Sequence, residues 1–170
     1  MIEKYHGWHC ICVHSYLVSP IMKVRVTIEI GGVAMNIDQY TEKAREALHH
    51  ASKIAQSKGQ PQIDLEHLLF ALLSQEPGLA LSILRKANVN VEALQKRCEQ
   101  EIDRLPKVSG ANQDGNVYLT SRLNNILNLS EEEAKKFKDD FISIEHILLA
   151  LLEDNGSVGK LFKEFGITRD

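Results

Sequence analysis

Ile63-Asp64-Leu65-Glu66-His67-Leu68-Leu69-Phe70-Ala71-Leu72-Leu73 returns 79 residues later as Ile142-Ser143-Ile144-Glu145-His146-Ile147-Leu148-Leu149-Ala150-Leu151-Leu152. Seven of the eleven positions are identical, and a match of that density at one fixed offset marks an internal duplication. The same offset sets Thr41 on Thr120, Leu48 on Leu127 and Ala55 on Ala134. After a one-residue slip near Gly78 and Gly156, Ile83-Leu84 falls on Leu161-Phe162 and Val89 on Ile167. The chain therefore carries two copies of one unit.

Each copy of the quoted stretch opens on a side-chain acceptor, Asp64 or Ser143, where an N-cap satisfies the free N–H groups of a first helical turn. Leu65, Leu68, Leu69, Leu72 and Leu73 follow at helical spacing, as do Ile144, Ile147, Leu148, Leu151 and Leu152. With Phe70 and Leu149 apolar on the opposite side, the helix is hydrophobic nearly all round, which predicts a buried element. Around it the punctuation predicts further helices: about Tyr40 to Lys58, stopped by Gly59 and Pro61; Leu79 to Ala87, closed by Asn88; and one capped by Asn90 with the stripe Val91, Leu94, Cys98, Ile102 and Leu105. Leu105 to Asn116 reads as a linker, since Pro106, two glycines and polar neighbours exclude a helix. The second copy repeats the plan with helices over about Ser121 to Lys138, the buried stretch, and a short helix ending at Gly166. A fourth helix is expected after Ile167, with Thr168 as its N-cap, and is cut off at Asp170. The expected fold is all-α: two four-helix repeats, about 40–105 and 119–170 joined by a linker at 105–118, related by a pseudo-two-fold, the last helix truncated.

At 170 residues the chain is one domain by length and large enough for its own core. A net charge of −3 leaves no basic footprint for nucleic acid, and no run of about 18 apolar residues exists to span a membrane. Three cysteines make no disulfide framework, so a reducing compartment, the cytoplasm, is expected. Residues 1–34 stand outside the repeat. They hold a possible alternating strand, Val24 to Ile30, and a cluster of His6, His9, Cys10, Cys12 and His14 whose spacing fits no usual zinc arrangement, so no metal site is assigned. Because Gly31-Gly32-Val33 can be encoded by a purine-rich ribosome-binding sequence ahead of Met35, this stretch is also readable as leader translated from a start placed too far upstream.

No phosphate loop of the Gly-x-x-x-x-Gly-Lys-Ser/Thr type and no nucleophile set is present, so the chain is not expected to be an enzyme. Glu66-His67 and Glu145-His146 place an acid beside a base twice. Neighbours on a helix point about 100° apart, so neither pair works as a dyad; a structural role, such as bonding a neighbouring helix end, is expected. Cys98 reads as a small buried hydrophobe rather than a nucleophile. On the Ser121–Lys138 helix the buried stripe is Leu123, Ile126, Leu127, Ala134 and Phe137, from which Leu129 points away; its equivalent is the polar His50. Leu129 is therefore expected on the surface, flanked by Asp139, Asp140 and Glu145, where apolar side chains with basic neighbours would suit it.

Met35 to Asp170 resembles the Clp N-terminal repeat domain carried at the front of AAA+ unfoldases, and within it the ClpB branch. The resemblance rests on Asp38-Gln39-Tyr40-Thr41, on Ile63 to Leu73, on the linker Leu105-Pro106-Lys107-Val108-Ser109-Gly110, and on Asp140-Phe141-Ile142-Ser143-Ile144-Glu145-His146. It implies a module tethered to a hexameric ATPase ring that touches unfolded or aggregated protein before threading, working with a DnaK-type chaperone system. It implies no cofactor for this chain, ATP and magnesium belonging to the full-length family, and a client surface over Thr41, Asp139 and Glu145 with Leu129 in an apolar groove nearby. The alternatives are the N-domain of a ClpC- or ClpA-type protease unfoldase, which docks adaptor proteins, and a free-standing regulator without a motor.

Overall fold

The computed structural model describes residues 27–30, 33–107 and 117–169. The His and Cys cluster of the first 14 residues and most of the linker lie outside them. Strand β1 (Thr27–Ile30) pairs antiparallel with β2 (Val33–Asn36), Thr27 opposite Asn36 and Ile30 opposite Val33. A 3₁₀ turn over Ile37–Gln39 leads to α1 (Glu42–Ser57), capped by Thr41, whose Oγ1 accepts the Ala44 N–H at 3.4 Å. Then come β3 (Gln62–Ile63), α2 (Leu65–Leu73), α3 (Leu79–Lys86) and α4 (Val91–Arg104). The second copy runs β4 (Tyr118–Leu119), α5 (Ser121–Phe137), α6 (Ile144–Leu151) and α7 (Ser157–Glu164). The helices fall where the spacing predicts them. Asn90 Oδ1 accepts the Ala93 N–H at 3.0 Å, and Thr120 Oγ1 accepts that of Leu123 at 3.1 Å.

The copies are laced together by two short parallel pairings that mirror each other. Thr120 N–H donates to Ile63 O at 3.0 Å, and Thr41 N–H donates to Ile142 O at 2.9 Å, the same bond displaced by 79 residues at both ends. Each copy's first helix therefore begins beside the other copy's central helix. α2 and α6 form the centre: Leu65, Leu68, Leu69, Leu72, Ile147, Ala150 and Leu151 are fully buried, while Phe70, Leu149 and Glu145 reach the edge. Cys98 is buried with its Sγ 3.3 Å from the Glu66 carbonyl oxygen, and burial pushes its thiol pKa up, as befits a core residue.

α5 departs from the expected stripe at both flanks. Phe137 is 58% exposed, because α5 ends there and Lys138 turns the chain away at φ 61°. Leu129, expected on the surface, is half-buried and packed against the core. The covered face of α5 extends to Ser130 and Glu133, wider than the apolar residues alone mark out, and so takes in Leu129 at its flank.

Candidate functional site

The geometry of interest starts at the N-termini of α2 and α6. Asp64 N–H donates to His67 Nδ1 at 3.0 Å, and Ser143 N–H donates to His146 Nδ1 at 3.1 Å. Each histidine thus takes the place that Glu or Gln usually holds in a capping box, closing the start of its own helix. With Nδ1 accepting, the proton of the neutral ring sits on Nε2. His67 Nε2 then donates to Gln60 Oε1 at 2.6 Å, and Gln60 Nε2 to Ile102 O at 2.6 Å. Burial, only partly opposed by Asp64, pushes the His67 pKa down to about 4. At the equivalent place His146 Nε2 meets Asp139 Oδ2 at 3.1 Å, and the Phe137 ring lies 5.7 Å from the imidazole. The two histidines are structural, as expected, although the helix end each one bonds is its own.

Beside the start of α6 lies a groove of about 390 Å³, lined by the first turn of α1, the turn into α3 and the first turn of α6. Thr41, Glu42 and Lys43 form one wall, Gln75, Pro77 and Leu79 the second, and Ser143, Ile144 and Glu145 the third. Gly78 lets the second wall fold closely, since a Cβ there would stand 2.2 Å from the Gln75 carbonyl oxygen. Gln75 Nε2 holds the Lys43 carbonyl at 3.0 Å, while Lys43 Nζ turns out to Glu46 at 2.7 Å. Two buried oxygens in this groove, Gln75 Oε1 and Glu145 Oε2, lack a hydrogen-bond partner among the described residues. Leu79 at its rim is 47% exposed.

The matching place beside α2 is filled. Arg122, the equivalent of Lys43, sets Nη1 at 3.2 Å from Asp64 and 3.3 Å from Glu66, and Nη2 at 3.1 Å from Asp154 and 3.4 Å from Ser157 Oγ. Ser157 Oγ also donates to Glu66 Oε1. Burial alone would lower the Arg122 pKa; Glu66, Asp64 and Asp154 together raise it. Gly156 leaves the room, because a Cβ there would lie 2.5 Å from Nη2.

Of the residues singled out in the sequence, Thr41 and Glu145 share the open groove. Asp139 sits at the same helix end through His146, and Leu129 is part of the core margin rather than an exposed contact. Sequence reasoning missed Leu79, Gln75 and the Lys43–Arg122 contrast. The repeat register carried that signal, since a lysine facing an arginine across the offset reads as conservative although the two side chains go to different places. Among the described residues no cluster of three or more His, Cys, Asp or Glu could hold a metal, and no helix is long and apolar enough to cross a membrane.

Residues 39–165 match the sequence profile of the Clp repeat (R) N-terminal domain. The chain is 41% identical over 137 residues to the chaperone protein ClpB of Bacillus anthracis, covering 80% of this chain and 16% of that one. It is 47% identical over 132 residues to ClpB 2 of a Nostoc species, covering 78% and 15%. The chain thus spans about one sixth of the length of these relatives. Among solved structures, the Hsp104 N-terminal domain of Candida albicans superposes with a TM-score of 0.68 at 21% identity, covering 76% of this chain and 83% of that one. A ClpV N-domain in complex with a VipB peptide superposes at 0.61 and 18% identity, covering 82% and 85%.

Proposed function

The chain belongs to the Clp repeat (R) N-terminal domain family, and from that premise we propose that it is the non-catalytic, client-contacting module of a ClpB-type disaggregase. It touches unfolded or aggregated polypeptide, which an ATP-driven hexameric ring then threads. The ring with its ATP and magnesium, the DnaK-type partner system and the cytoplasmic setting are part of the same proposal, for a longer protein.

The observation that carries this reading is the open groove, which brings Thr41 and Glu145 together beside an exposed leucine and two unsatisfied buried oxygens. A groove this shallow covers one or two side chains, and at about 25 cal/mol per Å² that leaves little after a flexible chain is ordered. Binding is therefore weak, roughly micromolar or worse, and becomes useful when several copies on one ring act together. The test is binding of a labelled, carboxymethylated and permanently unfolded lysozyme. Leu79→Ser and Glu145→Lys should each weaken binding several-fold with the melting temperature held; undiminished binding by both variants would place the client surface elsewhere.

A second reading is favoured by one observation, the peptide held by a ClpV N-domain of similar fold. On it the groove docks a defined segment of a folded adaptor, as a ClpC- or ClpA-type N-domain would. Capture of one folded protein in preference to unfolded lysozyme would favour this reading.

A further inference from the structure

The pseudo-two-fold leaves one helix face without its counterpart. α4 packs against both α2 and α7, and its Arg97 reaches Glu164 of α7 at 3.2 Å. Under that cover Leu161 of α7 is 2% exposed. The repeat register sets Leu161 on Ile83 and Glu164 on Lys86 of α3, so α3 turns towards solvent the face that α7 turns towards α4. Ile83 is accordingly 38% exposed, and Leu152 beside α6 is half-buried where its equivalent Leu73 is buried. Large apolar side chains left open together on one face mark a place of contact.

The stripe along that face is Glu76, in the turn before α3, then Leu79, Ile83 and Lys86, spaced by three, four and three residues. Read in reverse it keeps the same spacing, with the two charges exchanged and an apolar pair between them. A two-fold contact uses one surface on both partners. Laid antiparallel on a second copy, the stripe sets Leu79 on the partner's Ile83 and Glu76 on the partner's Lys86, each pair twice. Glu76 and Lys86 are exposed, and within the chain Glu76 meets Arg85 only at 3.9 Å, which leaves its charge available. We propose that this face pairs with the same face of a second copy of the chain, α3 against α3 about a two-fold axis. An eight-residue helix buries much less than the roughly 1,200 Å² of a stable interface, so the association is weak, about 100 micromolar. Where several copies are tethered side by side, local concentrations in roughly the millimolar range bring such a contact into play. The pairing does not depend on the open groove being the client surface.

Leu79 also lines the open groove, so the variants are made at Ile83, Glu76 and Lys86, which do not. The measurement is sedimentation velocity of the full chain, at low salt to spare the charge pairs, from about 10 micromolar to about 1 millimolar. The expected result is monomer at the low end and mostly dimer at the high end. Ile83→Glu should stay monomeric throughout with its melting temperature held. Glu76→Lys and Lys86→Glu should each weaken pairing about tenfold, and the two together should restore it to within about threefold, because the exchanged charges meet again. A chain still monomeric at about 1 millimolar, an Ile83→Glu variant that still pairs, or a double variant no better than the single ones overturns the assignment. If the monomer instead binds a synthetic helix of residues 91–104 carrying Arg97→Glu, and Lys86→Glu weakens that binding, the face seats a helix as α7 does and the second copy falls. Ile83→Glu should bind unfolded lysozyme as the parent chain does; absence of lysozyme binding from both, with pairing of the parent intact, would sink the client reading alone.

Discussion

His67 and His146 stand at the same turn of equivalent helices and are both buried, yet the first is closed over by a buried partner and the second by an exposed one. Gln60, buried and tied to the Ile102 carbonyl, closes over His67; its equivalent Asp139, 55% exposed at the side chain, is what His146 meets. Two nearby contrasts run the same way. Arg122 fills the groove beside α2, while Lys43 leaves the one beside α6 empty. The exposed Phe137 and Phe141 near the start of α6 correspond to Lys58 and Gln62 near α2. A duplication supplies the helical frame twice, and the frame needs only one of the two helix starts to be finished as structure. The other keeps exposed apolar rings, the kind of surface a contact would use, while buried oxygens without a partner occur at both ends, Glu66 Oε2 at one and Glu145 Oε2 and Gln75 Oε1 at the other.

The comparison can be broken at its centre first. Leu69→Ala should cost about 2 to 5 kcal/mol, and Leu148→Ala an amount near the low end because Leu148 is slightly exposed, read by urea denaturation. Losses below about 1 kcal/mol at both would mean that the paired helices are not the core. Next in size, Arg122→Ala leaves Glu66 buried beside Asp64 and Asp154 without its cation and should cost about 3 kcal/mol. Lys43→Ala, the equivalent change, should leave the melting temperature where it was.

Acid should act through the sealed end. With a folded pKa of about 4 against an ordinary value of about 6.5, His67 is protonated more readily in the unfolded chain. Its contribution is therefore complete above about pH 6.5 and is lost as pH falls towards 4, amounting to about 3 kcal/mol at most. An NMR titration of His67 with a midpoint near 6.5 would contradict that. The smallest effects belong to α5. Leu129→Ser should cost about 1 to 2 kcal/mol, since half a leucine leaves the core margin. Phe137→Ser should change stability by less than about 0.5 kcal/mol while weakening binding of unfolded lysozyme.

How much of this was legible in the sequence follows from what each signal depends on. Helix starts are local: Asp64 and Asn90 act on N–H groups within three residues and were legible as caps, whereas Thr41 and Thr120 cap their helices by the same means although the expected first helix began at about Tyr40, one residue before its cap. The burial of α2 and α6 is likewise written in their composition. The orientation of Leu129 and Phe137 was not legible, because it depends on where a neighbouring element stops. Helical counting gives an angle about one axis, and the covered face of α5 reaches past its apolar residues to Ser130 and Glu133. The filled groove was less legible still. Arg122 reaches Asp64, Glu66 and Asp154, 58, 56 and 32 residues away, and only the crossed pairing of the two copies brings those acids together.

The most direct test is a titration of the nitrogen-15-labelled chain with unfolded lysozyme, following amide signals at matched positions of the two grooves. The account predicts that Thr41, Lys43, Leu79 and Glu145 shift while Thr120, Arg122, Ser157 and Glu66 stay in place. Equal shifts at both sets, or shifts confined to the second, would contradict it.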